Sequence, residues 1–259
     1  MSHRPNALWV YAHPARRSLN AELYRAGTAA LGATHTVTTS DLYAQDWDPR
    51  LSRRDIAAAP DNGETFGELT RDTYLAGTLP SDVRAEQAKL AEADLLVLQF
   101  PLWWYGMPAI LKGWFDRVFV NGFAFGVRDP ETGRTLKYGE GGLAGRRALV
   151  ITTAGDRPTS FLPRGLNGDI ESLLFPLLHG TLWYAGIAPL QPHLVSGTDL
   201  PGWAGYRDEV DRLAARLATV ADEEPIPYRR MRDGDYDDDR VLHRDILPDR
   251  DDLGVHQHQ

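Results

Sequence analysis

The chain has no cysteine. A disulfide framework and a thiolate metal site are therefore excluded. No apolar run reaches the 18 residues of a membrane-spanning helix. The short run at residues 7–12 is too brief for the core of a signal peptide. The expectation is a soluble, cytoplasmic protein. Positive charge is in deficit, with 28 Lys and Arg against 36 Asp and Glu, a formal net charge of −8. That argues against non-specific nucleic-acid binding as a main role. No G-x-G-x-x-G follows the first predicted strand, and no G-x-S-x-G elbow for a serine nucleophile exists.

What remains is ordinary globular material: 259 residues, 42% hydrophobic and 25% charged, enough for one sizeable core with an appended tail. Residues 7–12 predict a buried first strand, and Ser18 and Asn20 are candidate caps for the helix after it. Residues 34–40 predict a second strand. Residues 41–80 lack periodicity and are punctuated by Pro49, Pro60, Asn62-Gly63 and Pro80. A helix capped by Ser81 over 81–93, a strand at 95–100 and a helix at 107–120 follow. Residues 121–145 predict a hairpin-like or irregular insertion. Then come a strand at 148–152, a helical stretch at 169–184 kinked by Pro176 and ended by Gly186, a strand at 190–196 and a helix at 203–220. This alternation predicts a doubly wound parallel α/β sheet of five strands, in the flavodoxin-like order 2-1-3-4-5. Residues 1–224 form the predicted domain. Residues 225–259, rich in Asp and Arg, predict an extended acidic tail packing on the surface or on a partner subunit.

In such sheets ligands sit outside the carboxyl ends of the strands. Three segments meet that condition. After the first strand, His13, Arg16, Arg17, Ser18 and Asn20 surround a helix N-terminus, whose free N–H groups and partial positive charge suit phosphate. After the third, Pro101, Leu102, Trp103, Trp104 and Tyr105 offer walls for a flat conjugated ligand, or simply cover the sheet end. After the fourth, Thr152, Thr153, Ala154 and Gly155 let backbone approach a ligand closely. Asp233–Asp239 superficially suggests a calcium loop, but Arg244 occupies the twelfth position, where a glutamate is needed. No metal site is expected there or at His256 and His258.

The segment Phe100-Pro-Leu-Trp-Trp-Tyr-Gly-Met-Pro-Ala-Ile-Leu-Lys-Gly-Trp-Phe-Asp-Arg-Val-Phe119 closely resembles the signature of the NAD(P)H:quinone oxidoreductase (DT-diaphorase) family. His13 with Ser18-Leu19-Asn20, residues 85–90, 151–155 and Gly168-Asp169 match in order. The resemblance implies a flavodoxin-like homodimer with FAD (FMN being the alternative) at each subunit interface, passing hydride from NAD(P)H to quinones by a ping-pong scheme. It implies that His13, Arg17, Ser18, Leu19 and Asn20 hold phosphates, that Pro101–Tyr105 line the flavin ring, and that Thr152–Gly155 meet its pyrimidine end. Phe66 and Arg207 would reach the adenosine half, and Phe125, Val127 and Tyr184 the substrate. Where mammalian members carry a tyrosine and a histidine that manage protons, the match places Phe161 and Asn167, with Ser160 as an alternative hydroxyl. Arg157 or Arg164 would then stabilise the reduced ring. Relatives that serve as ancillary subunits of potassium-efflux systems supply the alternative role, with a membrane-protein partner and little turnover of its own.

Overall fold

A computed structural model describes residues 4–57 and 63–258. Pro60 and Asn62 lie outside the described residues. Four strands form the body of the sheet: β1 (Asn6–Tyr11), β2 (Thr36–Asp41), β3 (Leu95–Pro101) and β4 (Arg147–Thr153). All pair in parallel, in the order β2-β1-β3-β4, and two short strands, β5 (Ala188–Pro189) and β6 (His193–Val195), both pair with β4. Of the single fifth strand expected at 190–196, β6 lies inside that range and β5 just before it; Leu190, Gln191 and Pro192 part them, and Pro192 has no N–H to donate.

Alternation along the strands sorts side chains onto two cores. Leu8 and Val10 of β1, Leu96 and Leu98 of β3 and Val150 of β4 face α3 (Ser81–Glu92) and α4 (Ala109–Val118). Trp9, Val97 and Ile151 face α1 (Leu19–Leu31) and α7 (Tyr206–Thr219). In α4, Leu111, Trp114, Phe115 and Val118 are buried at helical spacing, one stripe against the sheet.

The stretch 41–80 is more ordered than expected. It contains a 3₁₀ turn at Arg53–Ile56 and a ten-residue helix, α2 (Phe66–Leu75). A capping box starts α2: the Thr65 N–H donates to Glu68 Oε2 at 2.9 Å, and the Glu68 N–H donates to Thr65 Oγ1. Buried charge pins the segment to the body. Arg117 of α4 donates to Asp55 Oδ1 at 2.7 Å and to the Asp48 carbonyl at 3.0 Å, pairs with Asp82, and lies over the Trp47 ring. Pro80, not Ser81, is the N-cap of α3, with no side-chain cap bond.

The kinked stretch resolves into α5 (Ile170–Leu173), capped by Asp169, α6 (Phe175–Leu177), with Pro176 in its first turn, and a π turn at Leu178–Trp183. Residues 121–145 include a hairpin joined at Arg128 and Thr135. Beyond residue 224 the chain returns to the body. Ile226 and Tyr228 join the α3/α4-side core, the Ile226 N–H donates to the Pro189 carbonyl, and Trp183 Nε1 donates to the Arg229 carbonyl.

His193 in β6 is almost fully buried, and neither ring nitrogen has a hydrogen-bond partner among the described residues. Burial, with Arg212 and Arg216 nearby, pushes its pKa down to about 3. Unfolding frees it to take a proton at its ordinary value of about 6.5. Its contribution to stability is therefore intact above that value and is lost progressively as pH falls toward 3. Melting temperatures followed from pH 7 to 4 should fall less steeply in His193→Leu than in wild type. Equal slopes would remove the histidine from the acid response.

Candidate functional site

The three predicted loops do meet. Register places Phe100 beside Thr152, Pro101 beside Thr153, and Tyr11 beside Gln99. The Leu102 N–H donates to the Thr153 carbonyl at 2.9 Å, joining the aromatic loop to the end of β4. The His13 ring lies 5.9 Å from the Trp103 ring, joining the first loop to the third strand's.

A buried polar chain sets the position of α1. Trp9 Nε1 donates to Gln99 Oε1 at 3.0 Å, and Gln99 Nε2 donates to the Asn20 carbonyl at 2.7 Å. Asn20 Nδ2 in turn donates to Thr153 Oγ1 at 2.8 Å. Asn20 is therefore a buried strut between α1 and β4, whereas Ser18 alone is the cap, accepting from the Ala21 N–H at 3.1 Å. Ser18 Oγ also lies 3.3 Å from His13 Nδ1. Burial holds the His13 pKa below its usual value, so its ring is neutral at pH 7. Arg16 and Arg17 are exposed beside the helix N-terminus, where an anion is favoured.

The aromatic loop is presented to solvent. Trp104 is 98% exposed and Tyr105 55%. Both hold positive φ, at 50° and 59°, a region costly for bulky residues and concentrated at binding sites. Exposed indole and phenol rings held in strained backbone are poor covers for a sheet end and good walls for a planar ligand. Buried Asn20 Oδ1 and Thr152 Oγ1, at two of the three loops, have no hydrogen-bond partner among the described residues. Unsatisfied buried oxygens of this kind call for a ligand or water. At Gly155 an added Cβ would come within 2.1 Å of Asp199 Oδ2, so the Asp199 side chain packs directly on this glycine and would have to swing away from a larger residue.

Comparison with known proteins agrees with this geometry. A family model for the flavodoxin-like fold matches residues 5–219. The chain belongs to the flavodoxin-like fold family. Within it, the chain is 40% identical to ribosyldihydronicotinamide dehydrogenase [quinone] of Pongo abelii, over 85% of this chain and 94% of that one. It is 37% identical to NAD(P)H dehydrogenase [quinone] 1 of Rattus norvegicus, over 86% and 80% respectively. A crystal structure from Klebsiella pneumoniae, provisionally named a quinone reductase, superposes with a TM-score of 0.92 at 40% identity, covering 98% of this chain and all of that one.

Against the flavodoxin-like frame, the remaining candidates divide. Asn167 reaches the aromatic loop: Tyr105 Oη donates to Asn167 Oδ1 at 3.0 Å, and Asn167 Nδ2 donates to Asp156 Oδ2 at 2.9 Å. Asp156 escaped the sequence reasoning, since one acid after a glycine carries no signal of its own. The Arg157 N–H and then Asn167 lower its carboxyl pKa, so it is ionised at pH 7. Phe161 is buried, and the Ser160 carbonyl accepts from the Asn167 N–H. Arg157 and Arg164 are exposed on the same loop. Phe66, Phe125 and Tyr184 lie together elsewhere, along an apolar groove of about 420 Å³ between α2, α4 and the π turn. Val127 sits in the hairpin and not in the groove lining, its carbonyl accepting from the Leu136 N–H. Arg207 is exposed in the first turn of α7. The groove that holds Phe66, Phe125 and Tyr184 has no residue of the three loops in its lining among the described residues.

No helix among the described residues is long and apolar enough to cross a membrane.

Proposed function

We propose that the chain is an NAD(P)H-dependent flavin oxidoreductase that passes two electrons as hydride to quinones or similar acceptors, one substrate leaving before the next binds. The observation that carries this reading is the convergence of the exposed Trp103–Tyr105 loop with the α1 N-terminus and the Thr152–Gly155 turn. When bound there, a flavin supplies the two-electron relay between donor and acceptor.

The chain's own residues bind and orient. His13, Arg17 and Ser18, with the Leu19 and Asn20 N–H groups, hold phosphate at the helix N-terminus. Pro101, Leu102, Trp103, Trp104 and Tyr105 wall the ring. The Ala154 N–H is given to the Val195 carbonyl at 2.8 Å, so within the Thr152–Gly155 turn the Gly155 N–H would meet negative charge at its pyrimidine end. Phe161 and Asn167 carry no titratable proton, so the protons here sit on two hydroxyls: that of Tyr105, oriented by Asn167 and Asp156, and that of Ser160, bonded to Asp156. Arg164 adds positive charge.

FAD is preferred to FMN in this reading, with Phe66 and Arg207 toward the adenosine. The protein is a cytoplasmic homodimer. The apolar groove that carries Phe66, Phe125 and Tyr184 has the composition of a subunit contact. Across it, Phe125, Val127 and Tyr184 would serve the acceptor at the other subunit's ring. The proteins reported above are named as dehydrogenases or a quinone reductase, and none as a transport subunit.

Mass analysis of the extracted cofactor should show FAD. Rapid mixing with NADH, NADPH or ribosyldihydronicotinamide should bleach flavin absorbance, and a quinone should restore it. Protein that takes up no flavin, or that is reduced without acceptor-dependent turnover, overturns the reading. The pH–rate profile should lack an essential group near the reference histidine value of about 6.5.

A further inference from the structure

A second cavity, of about 350 Å³, opens between the body and the returning tail and shares no lining residue with the three loops. Its volume falls in the range of small-molecule sites, roughly 300–1,000 Å³. Its walls are rings. Tyr138 meets Tyr184 edge-on at 5.2 Å and His179 at 5.0 Å. Tyr236 stacks with His256 at 6.0 Å, and its hydroxyl lies 2.9 Å from His256 Nδ1.

Those histidines are uncharged walls at neutral pH. Burial and His256 push the His179 pKa down to about 4, and burial and Arg229 lower that of His256. Cationic charge comes instead from three side chains. Arg229 is already paired with Asp235 at 2.8 Å. Lys137 and Arg240 have no carboxylate within ion-pair distance among the described residues. Both line the cavity, and burial, then the charge of Arg240, lowers the Lys137 pKa.

Backbone strain marks the same place. Among the described residues, six non-glycine residues have positive φ. Two are Trp104 and Tyr105 in the aromatic loop; two more, Tyr138 at 48° and Arg240 at 66°, line this cavity. Strained residues persist where the surroundings hold them, and they cluster at ligand sites. Arg240 is held by a turn in which its N–H donates to the Asp237 carbonyl at 2.9 Å.

We propose that this cavity binds an aromatic carboxylate of one or two fused rings, its ring against Tyr138, Tyr236 and His256 and its carboxylate between Lys137 and Arg240. Two unpaired cations select an anion, and ring walls select a flat apolar body. None of its lining residues belongs to the three loops, and Tyr184 alone is shared with the apolar groove.

The test is calorimetric titration of the full-length, flavin-loaded protein with 2-naphthoate and with its uncharged analogue, 2-naphthamide. Naphthoate should bind saturably, and the amide at least about tenfold more weakly. Lys137→Gln and Arg240→Gln should each weaken naphthoate about tenfold while leaving the melting temperature in place, because Arg240 is exposed, Lys137 is only half-buried, and neither forms an ion pair among the described residues. Equal affinity for acid and amide, or naphthoate binding indifferent to both substitutions, overturns the proposal. Trp104→Asn should bind naphthoate as wild type does, so failure of this site and failure of the flavin reading are distinguishable.

Discussion

Arg117→Met should lower folding stability by about 3–5 kcal/mol, the usual cost of removing one partner from a buried ion pair. The guanidinium is buried in α4 and bonded to Asp55, itself buried, to Asp82 and to the Asp48 carbonyl. Burial opposes its charge, yet Asp82 and Asp55 together hold its pKa above the usual arginine value. Methionine fills most of the volume but leaves Asp55 as an uncompensated buried carboxylate and ends the contact with Trp47. The Asp48–Ile56 segment then loses its anchor to α4. For a chain of this size, each kcal/mol is about 2–4 °C of melting temperature, so a drop of about 10 °C is expected. The paired change Arg117→Met with Asp55→Leu should recover much of it, because the stranded charge is then gone. A single variant that melts with wild type would mean that water already solvates Asp55.

This ion pair shows where sequence reasoning stops. The strands were legible because β1, β3 and β4 are near-continuous apolar runs, with Gln99 inside β3 and Thr152-Thr153 ending β4, as expected of parallel strands buried on both faces. The three loops were legible because strand order alone brings their ends together. Buried polar partners carry no such pattern: no periodicity marks Arg117, Asp55 and Glu86 as buried, and only the folded structure brings their partners to them. Helix α2 was missed because its buried positions include Thr70 and Thr73, so its apolar stripe is faint, although its capping box at Thr65 and Glu68 was visible. Asn20 looked like a second cap. Its role as a strut depends on Thr153, which is distant in sequence. Asp156 gained meaning only when Asn167 folded back onto it.

Trp104→Asn should weaken flavin binding by roughly 50–100-fold without destabilising the flavin-free protein. The two effects separate because the indole is almost wholly exposed: it contributes nothing to either core, so its loss should change stability by no more than about 0.5 kcal/mol. Asparagine is the fitting replacement, since the position has φ of 50° and asparagine tolerates that region better than alanine. A ring stacked on the indole would cover roughly 100 Å² of apolar surface, which at about 25 cal/mol per Å² is about 2.5 kcal/mol, or a fold-change of the size stated. Leu75→Asn, another exposed apolar side chain but far along α2, is the control and should leave flavin affinity unchanged. If Trp104→Asn holds flavin as tightly as wild type, the aromatic loop is a cover and not a wall. The convergence of the three strand ends would then have to be explained by a different ligand.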